Sequence, residues 1–351
     1  MLLNVLIGLL VIVVLVSIIG NIADNRGGNA KTIFLGKEST NALKGFAIIM
    51  IALAHICQYE KPLKEILIGG GITYTVLFSW GAIGVSLFFL LSGYGCYLSL
   101  SKAENYGKWL AKHVIKMLIH FVIVFIPIIC ILKLVFHFDI QPVECLITFI
   151  TLRLPGSTVW YFKIQILFYI ILAVSMRISK EKAWMLVCAF SLCYGLIADF
   201  IIGLPDYWWK TSMCFMAGCF IAKYREHIEK ILLGNIKSII LLALGCFSYI
   251  VILKDSHYIF PVQIISYMLL AFCITMVWDW FVKGNRVLEK PGKYSLDIYL
   301  VHIGLVEGVF LTTFSVNVKI LIFAVSVTIL TVLCYQLSEY LYGKIQKALK
   351  L

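Results

Sequence analysis

Asn41-Ala-Leu-Lys-Gly-Phe-Ala-Ile-Ile-Met-Ile-Ala-Leu-Ala-His-Ile-Cys57 has the composition of a membrane helix, yet it carries a cation, Lys44, and an imidazole, His55, near its two ends. Successive helical steps of about 100° leave these side chains roughly 20° apart on one face and roughly 16 Å apart along the axis. A ligand lying along that face touches both.

The rest of the chain has the same character. Over 351 residues, 62% are hydrophobic, 14% are charged and the mean hydropathy is +0.97, which excludes an ordinary soluble protein. Crossing a hydrocarbon core of about 30 Å takes about 20 helical residues. Runs of that kind recur near 2–20, 41–58, 73–99, 113–135, 159–176, 183–202, 208–222, 236–253, 258–281, 294–314 and 318–342. An all-α polytopic membrane protein of about eleven helices is expected.

The net charge of +12 follows the loops. Loop 100–116 holds Lys102, Lys108, Lys112 and Lys116, and loop 223–237 holds Lys223, Arg225, Lys230 and Lys237. By contrast, loop 203–210 has only Lys210 and loop 313–319 only Lys319. This alternation continues down the chain and reads as the positive-inside rule: N-terminus outside, C-terminus cytoplasmic, multi-pass in the inner (cytoplasmic) membrane. It accounts for the basicity without nucleic acid, and the lipid bilayer is the expected partner. Segment 2–20 lacks the basic n-region and cleavage site of a secretory signal and reads as a retained helix. The cysteines form no C-x-x-C or Cys/His zinc pattern, so buried thiols and no metal are expected, with Cys57 and Cys145 the pair that topology allows to join.

Intramembrane polar groups are costly enough to be functional candidates. Depth sorts them into two sets. Lys44, Lys108, Lys112, Lys116, His113 and His120 fall on the cytoplasmic side; His55, Lys163, Gln165, Asp199 and Glu307 fall on the outer side. The basic inner stripe also fits lysines snorkelling towards anionic lipid, and the outer carboxylates also fit solvated helix ends. A polyanionic cofactor with a long arm would set its phosphates among Lys44, His113 and Lys116 and extend towards His55, a candidate general base.

Four motifs in order resemble acyltransferase family 3, bacterial membrane acyltransferases that modify cell-surface sugars. Lys44 and His55 match that family's Arg-x10-His. Phe88-Phe-Leu-Leu-Ser-Gly-Tyr94 is similar to its F-F-x-x-S-G-[FY] stretch. Trp160-Tyr-Phe-Lys-Ile-Gln-Ile-Leu-Phe-Tyr169 looks like its W-x-x-x-x-E-x-x-x-Y helix, and Gly292-Lys-Tyr-Ser-Leu-Asp-Ile-Tyr-Leu-Val-His302 its G-x-x-S-Y-x-I-Y-L-x-H segment. The resemblance implies a ten-helix acyltransferase core over 39–351, preceded by one extra transmembrane helix and its cytoplasmic loop over 1–38. It also implies acyl-CoA, with acetyl-CoA the expected form, as donor and a hydroxyl of a saccharide or lipid-linked sugar as acceptor. His55 is then the base, and Lys44, Lys112, His113, Lys116, Ser92 and Tyr94 form the donor side. Trp160, Lys163, Gln165, Tyr169, Tyr299, His302 and Glu307 form the acceptor side. A second copy of the chain and polysaccharide-assembly proteins are further expected partners.

The departures are Lys44 for arginine, which loses a bidentate fork, and Gln165 for glutamate, which removes a carboxylate. Plainer roles exist for several of these residues: close helix approach at Ser92 and Gly93, an aromatic-belt anchor at Trp160, and helix packing at Tyr299 and His302. The alternative function is a proton-coupled saccharide exporter, for which broken helices and inverted repeats would be expected.

Overall fold

The computed structural model describes residues 2–26, 34–155, 157, 159–232, 235–254, 260–282 and 284–349. Lys31, Lys283 and Lys350, which contribute to the charge alternation, lie outside them. In chain order the helices are α1 (Leu2–Arg26), α2 (Lys37–Tyr59), α3 (Leu63–Ile66), α4 (Gly70–Ser101), α5 (Tyr106–Leu134), α6 (Pro142–Ile150), α7 (Trp160–Ile178) and α8 (Ala183–Leu196). They continue with α9 (Met213–Lys223), α10 (Arg225–Leu232), α11 (Asn235–Leu253), α12 (Phe260–Phe281), α13 (Arg286–Lys293), α14 (Ser295–Phe310) and α15 (Val316–Ala348). A π-helical turn, Ile197–Ile201, extends α8. No strand occurs among the described residues.

Each of the eleven apolar runs holds a helix among the described residues. Among the described residues, eight are long and apolar enough to cross a membrane unaided: α1, α2, α4, α5, α7, α8 with its π turn, α12 and α15. The runs at 208–222, 236–253 and 294–314 form the shorter α9, α11 and α14. Large apolar side chains stand outward around the bundle, including Ile19, Ile239, Leu321 and Leu333. A hydrocarbon solvent is what such a perimeter requires. This is a polytopic membrane protein.

Without a hydrophobic drive between helices in lipid, close backbone approach holds the bundle. Two reciprocal glycine contacts supply it. A Cβ on Gly93 of α4 would lie 2.0 Å from the Phe215 carbonyl oxygen of α9, and one on Gly218 of α9 would lie 1.9 Å from the Leu90 carbonyl oxygen. Gly45 of α2 and Gly292 of α13 meet the Leu288 and Asn41 carbonyl oxygens in the same way, each at 1.8 Å. Asn105 and Asn285 cap α5 and α13, their side chains accepting from the Lys108 N–H and from the Val287 and Leu288 N–H groups. The eleven cysteines, Cys57 and Cys145 among them, are free thiols. Helix α1 lies at the margin against α12 and α15, tied by hydrogen bonds from Asn285 to Ser17 and from the Leu2 N–H to Asn317.

Candidate functional site

Helix α2 presents Lys44 and His55 to two different cavities. Around Lys44 is a narrow space of about 150 Å³ walled by Ser92 of α4, Gln165 and Tyr169 of α7 and Tyr299 of α14. Around His55 is a wider one of about 660 Å³ whose walls include Trp160, Asp206, Lys210 and, again, Tyr299. Tyr299 is therefore a shared wall. Its hydroxyl is buried and has no hydrogen-bond partner among the described residues. Tyr161 stands in the first turn of α7, where backbone N–H groups have no partner in their own helix.

That helix starts under strain. Val159, fully buried, precedes it with φ +46°, a left-handed conformation unusual for a β-branched residue. The bend places Trp160 against the wider cavity and its neighbour Tyr161 against the narrower one. Strain of about 1–3 kcal/mol held by surrounding structure is characteristic of functional sites.

At His55 the hydrogen bonds select a tautomer. His302 Nδ1 lies 2.7 Å from the Ile298 carbonyl oxygen, which only accepts, so Nδ1 carries the proton. In neutral imidazole, Nε2 of His302 is then a bare acceptor. His55 Nδ1 lies 3.0 Å from that atom and must donate to it. The proton-free nitrogen of His55 is consequently Nε2. An imidazole held in this way is poised to accept a proton.

In the narrow cavity, Gln165 Nε2 donates to Ser92 Oγ at 2.7 Å, and the Tyr169 hydroxyl lies among Ser92, Cys96 and Gln165. Gln165 Oε1 is buried without a donor. Among the described residues, Lys44 is the only cation lining this space. His113 borders it indirectly: its ring stacks on Trp109 at 4.0 Å and meets Tyr169 edge-on at 5.7 Å.

Several residues expected beside these lie elsewhere. Gln165, sorted by depth with the outer set, lines the cavity of Lys44, because position along a helix does not say which neighbour its face meets. Lys116 pairs with Glu339 at 2.6 Å, and Lys112 is exposed. Tyr94 reaches the Phe34 carbonyl oxygen. Ser92, Tyr169, Trp160 and Tyr299 line the two cavities, and His302, which lines neither, reaches them through His55; Lys163 and Glu307 line neither.

Sequence reading overlooked other features. His120 and Asp297 form a buried pair at 2.8 Å, and Glu339 lies 3.5 Å from the other nitrogen of His120. Asp206, Lys210 and Thr211, on the link between α8 and α9, line the wider cavity. The run Asp206-Tyr-Trp-Trp-Lys210, with opposite charges at spacing four flanking three aromatic rings, is the signal that would have found them.

The sequence model of a protein family described as an acyltransferase domain, that of acyltransferase family 3, matches residues 38–338. No curated protein and no solved structure matches the chain. The match covers most of the chain and spans both cavities and all four motifs. The chain belongs to acyltransferase family 3 and is a membrane acyltransferase.

Proposed function

We propose that the protein transfers a short acyl group, acetyl in the simplest case, from acyl-CoA at the cytoplasmic face of the inner membrane to a hydroxyl of a saccharide or lipid-linked sugar at the outer face. The observation that carries this reading is the meeting of two cavities at Tyr299, with a cation in one and an oriented imidazole in the other.

In this scheme the thioester arm lies along Lys44, Ser92, Gln165 and Tyr169. Lys44 offsets donor phosphate charge, with His113 behind Tyr169. The acceptor hydroxyl approaches His55 Nε2, which removes its proton as the oxygen attacks the thioester carbonyl carbon. Charge gathers on the carbonyl oxygen, where the Tyr299 hydroxyl, buried and otherwise unpartnered among the described residues, donates to it. The carbon–sulfur bond then breaks, and His55 returns the proton to the CoA thiolate. The products are an ester and a free thiol. His302 is a positioning residue that keeps His55 in the required tautomer.

Family membership weighs for transfer over export. The test is purified full-length protein in nanodiscs with labelled acetyl-CoA and a saccharide acceptor. His55→Ala is expected to bind CoA but to lose about 10²–10⁴-fold in transfer. Transfer by His55→Ala at the wild-type rate overturns the assignment, and failure of the wild type to bind CoA returns the exporter reading.

A further inference from the structure

Lys163 lines neither cavity, and the face of α7 on which it stands explains why. Ile170 and Val174 follow it at the spacing of one helical stripe, and both are exposed, like the large apolar side chains of the bundle's perimeter. Lys163 therefore faces out of the bundle near the start of a membrane helix, where a cation without a counter-charge is costly.

A second cation is brought to it. Helix α6 is held to α5 through Phe149, whose ring lies 5.2 Å from that of Phe125 and 6.2 Å from that of Phe121, and Phe121 meets Phe162 of α7 at 5.6 Å. The helix ends in a fixed turn: Leu152 adopts φ +51°, and the Arg153 N–H donates to the Thr148 carbonyl at 2.8 Å. Arg153 leaves that turn exposed, close enough for its charge to act on Lys163. Neither cation pairs with a carboxylate among the described residues. Glu144, the acidic residue of α6, lies in its first turn, at the far end from Arg153. Two like charges side by side repel, and an anion between them turns that repulsion into attraction.

The surroundings say what carries the anion. Val143, Leu146, Ile147 and Ile150 form an i, i+3, i+4, i+7 stripe along α6, each at least 54% exposed. A helix with such a face lies among acyl chains. Acyl chains beside an arginine and a lysine describe a lipid with a phosphate in its head group. Its chains lie on α6, and its phosphate oxygens accept from the planar fork of Arg153 and the ammonium of Lys163.

We propose that Arg153, Lys163 and the apolar stripe of α6 form a binding site for an anionic phospholipid. The site does not depend on the proposed reaction. It backs onto the wider cavity, which Ser157 and Trp160, between the two cations in sequence, help to line. A phosphate accompanied by its own choline offers the pair less net charge, so phosphatidylglycerol is preferred over phosphatidylcholine.

The test counts lipids on the intact protein. The full chain in a non-ionic detergent is titrated with dioleoyl phosphatidylglycerol or dioleoyl phosphatidylcholine, and bound lipid is read by native mass spectrometry. Phosphatidylglycerol is expected to bind about fivefold or more tightly. Arg153→Gln and Lys163→Gln should each weaken it about fivefold, the size expected for one cation at a lipid head group, and the double variant about tenfold or more. Neither side chain is buried, so the fold stands in these variants. Lys133→Gln, which removes an exposed cation at the end of α5, should leave the affinity unchanged. Glycerol 3-phosphate, a phosphate without chains, should not displace the lipid. The inference is overturned if the two lipids bind wild type equally, if the double variant binds phosphatidylglycerol as tightly as wild type, if Lys133→Gln weakens it as much, or if glycerol 3-phosphate displaces it. Loss of the lipid preference would leave the transfer reading untouched, and absence of transfer would leave this site standing.

Discussion

His55 Nδ1 and His302 Nε2 lie 3.0 Å apart, and the Ile298 carbonyl decides which of them holds the proton between them. Replacing His302 with alanine removes the acceptor and frees His55 to adopt either tautomer. We expect a loss of about 10–100-fold in transfer, the usual size for the partner of a functional histidine. His302→Gln, whose amide oxygen can still accept, should recover part of it. Nitrogen-15 NMR of His55 should show one neutral tautomer in wild type and a mixture in His302→Ala; a single unchanged tautomer would remove the positioning role.

Tyr299→Phe keeps the shared wall and deletes only its hydroxyl. If that hydroxyl meets charge developing in the transition state, the variant should lose about 10²–10³-fold in kcat with little change in either KM. An unchanged kcat would reduce Tyr299 to a partition.

Lys44→Arg supplies the planar fork of the family's usual residue, and Lys44→Ala supplies nothing. Calorimetric titration with acetyl-CoA should place Lys44→Ala roughly tenfold or more weaker than wild type, and Lys44→Arg at or above wild-type affinity. Equal affinity in all three would detach Lys44 from the donor.

Gly93 and Gly95 are two positions apart in α4 and should respond oppositely. A methyl at Gly93 collides with the Phe215 backbone, so Gly93→Ala should lower thermal stability in detergent by the equivalent of about 1–3 kcal/mol. A methyl at Gly95 meets nothing within 4 Å, so Gly95→Ala should be neutral or slightly stabilising.

Hydropathy made the spans legible, since a backbone in hydrocarbon must satisfy its own hydrogen bonds and a helix of fixed rise needs a fixed length of apolar sequence. The motifs likewise located Lys44, His55, Tyr299 and His302. Tertiary partners were not legible. Lys116 looks like one step of a basic stripe until Glu339, far along the chain, neutralises it. Gln165 has the right depth for the outer set but the wrong facing helix. Asp206 and Lys210 were legible only as opposite charges at spacing four around aromatic rings; a link between helices has no periodicity to show which side chains turn inward, and Lys210 served only as an isolated loop charge.

The shared wall at Tyr299 bears on the economy of the cell. A protein that carried a whole CoA thioester or a whole sugar across the bilayer would have to open a route wide enough for ions to follow. In the proposed reaction, two hollows that abut at a single phenol ring require only an acyl group to change sides. The insulating layer would then stay closed during turnover, and the proton-motive force would not be drained by each modification.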